Sequence, residues 1–176
     1  MEYSLYLYPE TLGNGSRLAQ SVLEGLQEIG VIAKANDQST WMPGEKLMDY
    51  ITFLGCSPAL QRGEIESVIR LHQREKIFAL GGTSTDALRF PDCRHKIENA
   101  PEIVGNYPAP WQCPHCNNHG VFEQINWRRS AAASSLFIEI SGVFPKEAVP
   151  ADKLIAFLRQ QTDIDWNWFY ALSQQN

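Results

Sequence analysis

The segment between Pro91 and Gly120 concentrates the side chains that could do chemistry. It holds three of the four cysteines and three of the four histidines of the chain. Within it, Cys113 and Cys116 are separated by two residues, in the motif Cys-Pro-His-Cys. Two thiolates at this spacing can bind one ion, because a tight turn directs both sulfurs inward and offers them backbone N–H groups. The motif therefore predicts a metal site, with zinc as the metal.

The further ligands would come from the preceding part of the segment. Cys93 has no cysteine three residues away, since Phe90 lies upstream and Lys96 lies downstream. The nearest additional donor is the imidazole of His95, so that a Cys3His set would hold one zinc ion tetrahedrally. The predicted metal ligands are therefore Cys93, His95, Cys113 and Cys116.

Two other imidazoles compete for the fourth ligand position. His119 is the main rival, and His115, inside the Cys-Pro-His-Cys motif, is a poorer one. The segment resembles a zinc ribbon with an irregular first arm, in which Lys96 stands where a regular ribbon carries its fourth cysteine. This resemblance is confined to the one segment, and it implies a structural module without indicating an activity.

Two interpretations of the segment do without a zinc ion. In the first, the site has decayed and the loop is held by the packing of Tyr107, Trp111 and the prolines. In the second, Cys113 and Cys116 are a redox pair. The redox interpretation is disfavoured, because such a pair normally opens a helix, whereas the residues 117–120 that follow are typical of a turn.

Cys56 is the other candidate nucleophile. It follows a predicted strand and precedes Ser57-Pro58, a place where a helix N-terminus would activate its thiol. Free cysteines are among the most buried residues, so a buried thiol at the end of a strand is the favoured interpretation. His72 is likewise predicted to be a partly buried core histidine, with a Cys56–His72 dyad as the alternative.

Two further motifs could contact an anion. Residues 81–86 (Gly-Gly-Thr-Ser-Thr-Asp) look like a phosphate-binding loop but lack the lysine of a P-loop, so they are interpreted as a flexible exit from a strand. Arg128 and Arg129, next to Trp127, could contact an anion or a base. Adjacent arginines at the boundary of an element are more often ordinary surface residues, and that interpretation is preferred.

The first part of the chain predicts a ferredoxin-like arrangement. Hydrophobic periodicity predicts strands over residues 3–8, 31–35, 48–54 and 77–80, and helices over residues 16–29 and 65–72. The resulting order, β-α-β-β-α-β, is that of a ferredoxin-like fold, a four-stranded antiparallel sheet with helices on one face. Its core would contain Leu5, Leu7, Val22, Leu26, Ile51, Phe53, Ile69 and Ile77.

The predicted fold class is α+β, in three parts. Residues 1–82 form the ferredoxin-like domain, residues 83–120 a zinc-ribbon-like insertion, and residues 121–176 a C-terminal β(α)βαβ portion. This last portion is predicted to have strands over 121–127, 136–144 and 166–172, a short helix or loop over 128–135, and a helix that begins at Pro150. It either forms one compact unit with the first domain or makes a second layer.

Composition restricts the function. With 44% hydrophobic and 20% charged residues, the chain has the composition of a soluble globular protein. A net charge of −5 disfavours a nucleic acid partner, which would require a basic face. The sequence has neither a long apolar run nor an N-terminal signal pattern, so we expect no membrane association and a cytoplasmic location.

A non-enzymatic interaction or adaptor protein with a structural zinc knuckle is the function that the sequence favours. Four protein ligands would leave no open position on the ion for a substrate water. A protein partner or self-association is therefore expected, and the aromatic residues 166–172 form either a core strand or a partner surface. The alternative is a small thiol-dependent enzyme or redox protein that uses Cys56 or the Cys113/Cys116 pair.

Overall fold

The computed structural model describes residues 2–10, 15–35, 37–54 and 66–173. The helices are α1 (Gly15–Glu28), α2 (Ala100–Gly105) and α3 (Asp152–Thr162), with short 3-10 turns at Leu47–Tyr50 and Phe122–Gln124. The strands are β1 (Tyr3–Pro9), β2 (Ile32–Ala35), β3 (Thr40–Pro43), β4 (Ile51–Phe53), β5 (Ile69–Gly81), β6 (Trp111–Gln112), β7 (His119–Gly120), β8 (Ala131–Ser141), β9 (Ala148–Pro150) and β10 (Trp166–Leu172).

Six of these strands form one curled antiparallel sheet, which we call the main sheet. Its order is β10-β1-β8-β5-β3-β2, and every neighbouring pair is antiparallel. Two smaller ladders join β4 to β9 and β6 to β7. The mixed α+β class predicted from the sequence is confirmed. None of the helices in the described ranges is long and apolar enough to cross a membrane.

The main core lies between one face of this sheet and helices α1 and α3. Successive side chains of a strand point to opposite faces, so the leucines of β1, Leu5 and Leu7, face the helices while Tyr6 faces the other way. Val22 and Leu26 come from α1 at a spacing of four residues, which puts them on one side of the helix. The four aliphatic residues Leu5, Leu7, Val22 and Leu26 were predicted to lie in the core, and all four are buried.

Two members of the predicted core are less buried than expected. Phe53 is only partly buried and packs at the edge of the main core. Ile77 is also only partly buried, because a register shift in β5 between Gln73 and Phe78 changes which residues face inward. Phe78 is buried instead, in an aromatic cluster on the opposite face of the sheet.

The predicted helix over residues 65–72 is wrong where the structure describes it. Residues 69–72 belong to β5, and Ile69 and Leu71 pair with Ile140 and Ile138 on β8. The apolar spacing that indicated a helix also fits alternation, and this long antiparallel ladder decides between the two. Residues 55–65, including Cys56, lie outside the described residues.

The predicted sheet order of residues 1–82 is also wrong. A ferredoxin-like unit closed within these residues would pair β1 with their own strands, yet β1 lies between β8 and β10. In the C-terminal portion, the strand predicted over residues 121–127 is absent from the described structure, which has a 3-10 turn there. Residues 131–135, predicted as part of a short helix or loop, are the first half of β8. The last strand of this portion is confirmed as β10. The predicted helix is present as α3, but it begins at Asp152, because Pro150 belongs to β9 and pairs with Ile51.

A buried carboxylate lies on the face of the main sheet opposite the helices. Glu139 is 0% exposed, and its two oxygens accept hydrogen bonds from Ser4 at 2.7 Å and from His72 at 2.7 Å. Arg70 adds a 3.4 Å ion pair from the neighbouring strand. Burial raises the pKa of Glu139, but the bonds to His72 and Ser4 and the charges of His72 and Arg70 outweigh it and hold the pKa below its usual range.

We predict that Leu5→Ala lowers the free energy of unfolding by about 2–5 kcal/mol, because it leaves a cavity in the main core. The matched control is Leu54→Ala: Leu5 is 0% exposed, whereas Leu54 is 58% exposed. The control should change stability by no more than about 0.5 kcal/mol. Urea denaturation followed by circular dichroism measures both, and equal effects would contradict the assignment of the core.

Glu139 should make stability depend on pH in the acid range. Because its pKa in the folded state lies below the ordinary value of 4.5, its stabilisation is complete above that pH and is lost as the pH falls through the folded value. Glu139→Gln should cost about 1–3 kcal/mol at neutral pH and flatten this part of the profile. Urea denaturation at several pH values tests this. Glu147→Gln, at an exposed carboxylate, should keep the wild-type profile.

Candidate metal centre

Two hairpins of equal length form the cysteine-containing segment. The first runs over residues 88–97 and is closed by an isolated antiparallel bridge between Arg89 and Lys96. The second runs over residues 111–120 and is closed by the ladder between β6 and β7. Both belong to residues 82–130, which connect β5 to β8, two adjacent strands of the main sheet.

The turns at the tips of the two hairpins have the same hydrogen bonds. We call residues 90–95 the first turn and residues 113–118 the second turn. The first residue of each turn donates its N–H to the carbonyl of the sixth, from Phe90 to His95 at 3.0 Å and from Cys113 to Asn118 at 2.8 Å.

The fifth residue also has the same backbone conformation and the same hydrogen bond in both turns. Arg94 has φ 62° and Asn117 has φ 61°, both in the left-handed region that few residues other than glycine adopt. Each donates its N–H to the carbonyl of the first residue of its turn, Arg94 to Phe90 at 3.1 Å and Asn117 to Cys113 at 2.9 Å. The two turns therefore match residue by residue, and Cys93 corresponds to Cys116.

This correspondence corrects the position of the missing thiol. The sequence alone placed it at Lys96, which would make Cys93 the first cysteine of its arm. In the structure Cys93 occupies the position of the first turn that matches Cys116, and Phe90 occupies the position that matches Cys113. Proline follows in both turns, at Pro91 and Pro114, and this shared residue was a signal in the sequence.

The two turns bring three sulfur atoms together. We call Cys93, Cys113 and Cys116 the sulfur cluster, because their Sγ atoms all lie within 4.8 Å of one another. The Sγ atoms of Cys93 and Cys113 are 3.5 Å apart. Tetrahedral zinc with Zn–S bonds of about 2.3 Å separates its sulfurs by about 3.8 Å. The spacing is therefore close to that of a shared ion and far from the roughly 2.05 Å of a disulfide bond.

Backbone N–H groups of the turns point at the sulfurs. Burial raises the pKa of the Cys113 thiol, but the N–H groups of Cys116 and His115 and the neighbouring thiols more than offset this, so its pKa is lowered. The N–H of His95 lowers the pKa of Cys93, but burial and the hydrogen bonds with the other two thiols outweigh it, and the pKa is raised. Of these two thiols, the backbone of the second turn therefore favours ionisation of Cys113.

An apolar cluster packs beneath the sulfurs. It is formed mainly by Leu88, Phe90, Ile97, Val104, Trp111, Cys113, Phe122, Ile125 and Trp127. The rings of Phe90 and Trp111 lie 5.3 Å apart, so the first position of the first turn contributes to packing instead of ligation. Trp111 is anchored by a 2.8 Å hydrogen bond from its indole N–H to the carbonyl of Val121. This cluster is separate from the core between the main sheet and its helices.

Side chains of each turn also cross to the other turn. The ring of His95 stacks on that of His115, with 4.6 Å between centroids and 6° between planes. The matching residue in the second turn, Asn118, donates to the carboxylate of Asp92 at 3.2 Å. The ring of His95 lies on His115, and none of its nitrogen atoms belongs to the group of possible metal ligands formed by the three sulfurs. His119, which is exposed on β7, contributes no atom to this group either.

The structure places the remaining sequence candidates elsewhere. His72 lies on β5 against Glu139, a pairing that the sequence analysis did not identify. Alternation along β8 offered a signal, since it puts Glu139 on the same face as Phe137, which is also fully buried.

Comparison of this chain with protein-family models, with curated proteins and with solved structures finds no match.

If Phe90 occupies a ligand position, Phe90→Cys should complete a set of four thiols. We predict that the variant is less stable than wild type without metal, by about 3–5 kcal/mol, because the ring is lost from the apolar cluster. It should nevertheless bind zinc more tightly than wild type, as measured by competition with a chromophoric chelator. Phe122→Cys is the matched control, since it adds a thiol to the same cluster outside both turns. Equal zinc affinities of the two variants would contradict the correspondence of the turns.

Proposed function

We propose that the sulfur cluster binds one zinc ion and that this ion is structural, in a ribbon-like unit of a non-enzymatic interaction or adaptor protein. The observation that carries the proposal is the convergence of three sulfurs from two matching turns. Three thiolates in a tight turn geometry, with backbone N–H groups directed at them, have the donor chemistry that zinc prefers.

A structural role follows from what an ion would connect. The contacts between the turns are few: the stacked rings of His95 and His115, the bond from Asn118 to Asp92, and the sulfurs themselves. Apart from the sulfurs, these contacts are between exposed side chains and contribute little. An ion bound to Cys93 and to both cysteines of the second turn would tie the hairpins together directly, so that metal binding and folding of the segment are coupled.

The fourth ligand in this proposal is His95. Phe90 removes the thiol that would complete the site, so the chain must supply another donor or leave the position to solvent. His95 lies two residues after Cys93 in the first turn, and its ring is exposed, so this proposal requires the ring to leave His115 and turn toward the sulfurs. His119 is the rival, but it is held on the ladder of β7, outside the turn.

The rest of the chain supports the segment as a platform. In chain order, β1, α1, β5, β8, α3 and β10 follow the β-α-β-β-α-β pattern. We infer that the ferredoxin-like arrangement expected within residues 1–82 is spread over the whole chain. The ribbon-like unit is then an insertion in the connection between the two central strands, β5 and β8. Insertions of this kind commonly carry the binding function of a scaffold.

A partner surface is supported by exposed apolar residues. Val121, directly after the second hairpin, is 50% exposed, and Met42 on β3 is 46% exposed. Val121 adjoins the hairpin of the proposed zinc site, so its exposed side chain would suit a protein partner or self-association there.

A thiol-dependent enzyme is the second candidate function, favoured by one observation. The Nε2 atom of His72 lies 2.7 Å from Glu139, an arrangement in which a carboxylate orients an imidazole as a general base. Cys56 would be the nucleophile. Selective alkylation of Cys56 by iodoacetamide, abolished by His72→Gln, would favour this candidate; slow labelling that His72→Gln leaves unchanged would contradict it.

We predict that the protein purified without chelator carries close to one zinc per chain, measured by elemental analysis. Cys113→Ser should lose the ion, and proteolysis should then cut residues 85–120 while the main sheet keeps its circular dichroism spectrum. His95→Ala should weaken zinc retention far more than His119→Ala. Protein with well under one equivalent of zinc that gains none on titration would contradict the proposal.

A further inference from the structure

A small basic pocket lies apart from the sulfur cluster, where three loops meet. Its walls are the segment that follows β5, the turn that precedes β8 and the turn that follows β8. We call it the basic pocket; it is lined by Thr83, Ser84, Thr85, Asp86, Arg128, Arg129, Ser130, Pro145, Lys146 and Tyr170. It joins the two motifs that the sequence singled out as possible anion contacts, residues 81–86 and Arg128-Arg129.

The charge of the basic pocket is opposite to that of the chain. Arg128 and Lys146 contribute two positive charges and Asp86 one negative charge, in a protein with a net charge of −5. Arg129 also lines the pocket, but its guanidinium contacts Trp168 and Asn167, which lie outside the lining. Lys146 is partly neutralised, because its Nζ lies 3.3 Å from Asp86 Oδ1. Arg128 makes no ion pair within the described part of the chain, so its guanidinium keeps its full capacity for an anion.

Hydroxyl groups add neutral donors to these cations. Thr83 Oγ1 accepts a hydrogen bond from the N–H of Leu172 at 3.0 Å, and Ser84 Oγ accepts one from the N–H of Asp86 at 3.1 Å. Each hydroxyl is thus used as an acceptor by the backbone, which leaves its proton to be donated to a ligand. Tyr170 differs, since its hydroxyl already donates to the carbonyl of Ala148.

The backbone of the basic pocket is held in an unusual conformation. Arg128, Arg129 and Lys146 have φ values of 50°, 57° and 68°, in the left-handed region that is costly for such side chains. Strain of this kind concentrates at functional sites, and here it falls on the three basic residues that line the pocket. Arg129 is fixed further by its guanidinium, which lies 3.7 Å from the ring centroid of Trp168.

We propose that the basic pocket binds the phosphate group of a small anion. Guanidinium and ammonium groups with hydroxyl donors are the combination that recognises phosphate oxygens. The volume of about 170 Å³ is below the roughly 300–1,000 Å³ of sites for larger ligands, so the ligand is inorganic phosphate or a small monoester. The site does not depend on the zinc proposal, because it shares no residue with the sulfur cluster.

The test is a titration of the purified full-length chain with inorganic phosphate, at an ionic strength held constant with chloride and followed by two-dimensional NMR. Resonances of residues 83–86, 128–130 and 145–146 should shift. Arg128→Gln should weaken binding roughly tenfold, the loss expected for a hydrogen bond to a charged group. Asp86→Asn should tighten binding, because it frees Lys146; a gain of affinity cannot result from misfolding.

Arg159→Gln and Asp165→Asn are the matched controls. These residues form a comparable exposed ion pair at 3.1 Å that is not part of the pocket lining, and neither change should alter phosphate affinity. Glycerol phosphate, titrated in parallel, identifies the source: tighter binding than free phosphate assigns the site to monoesters, and equal binding assigns it to the free ion. Shifts that map elsewhere, or equal effects of chloride and phosphate, would overturn the proposal, as would Asp86→Asn without a gain.

Discussion

The pairing of β5 with β8 is the constraint on which the rest of the structure depends. It joins residues that are far apart in sequence, since residues 82–130 lie between the two strands. The hydrogen bond from the N–H of Gly82 to the carbonyl of Ser130, at 2.8 Å, continues the ladder into this connection. A side chain at Gly81 would overlap the Ser130 carbonyl, so glycine is required for the close approach. The first glycine of the apparent phosphate loop is thus explained by strand packing, whereas Gly82 lies against Pro101 and Val104 of α2.

Several features follow from this one pairing. On the helix face it places Ile69 opposite Ile140 in the main core, and on the other face it places His72 beside Glu139. At the end of the ladder it brings the hydroxyl-rich residues 83–86 next to the Arg128-Arg129 turn, and so forms two walls of the basic pocket. It also fixes the two ends of the connection that carries both hairpins. Long-range pairing of this kind costs loop entropy, which the burial of both faces of β8 offsets.

Hydrophobic periodicity and glycine positions predicted individual helices and strands, because these depend mainly on the local sequence. The strand at β1, the helix α1 with its stop at Gly30 (φ 79°), the helix α3 and the aromatic strand β10 were all visible as periodicity or as a glycine at a helix end. The order of strands was not visible, because antiparallel pairing over a hundred residues leaves no local signature. The helix expected over residues 65–72 failed for the same reason: Ile69 and Leu71 alternate against a partner that the local sequence does not contain.

At the sulfur cluster the sequence identified the three cysteine donors, but it did not show which residues of the first turn match which residues of the second turn. Three of the four predicted ligands converge, whereas the ring of His95 lies on His115. The match between the two turns was hidden because Phe90 stands where the second turn has Cys113, while the backbone hydrogen bonds of the turn are the same. An apolar ring can replace a thiol there because that position also faces Trp111, where the ring adds packing to the apolar cluster. The first turn is therefore held on two sides, by Cys93 toward the sulfurs and by Phe90 toward the apolar cluster. The packing of Phe90 on Trp111 therefore accounts for a first turn that has the backbone of the second turn without a cysteine at its first position.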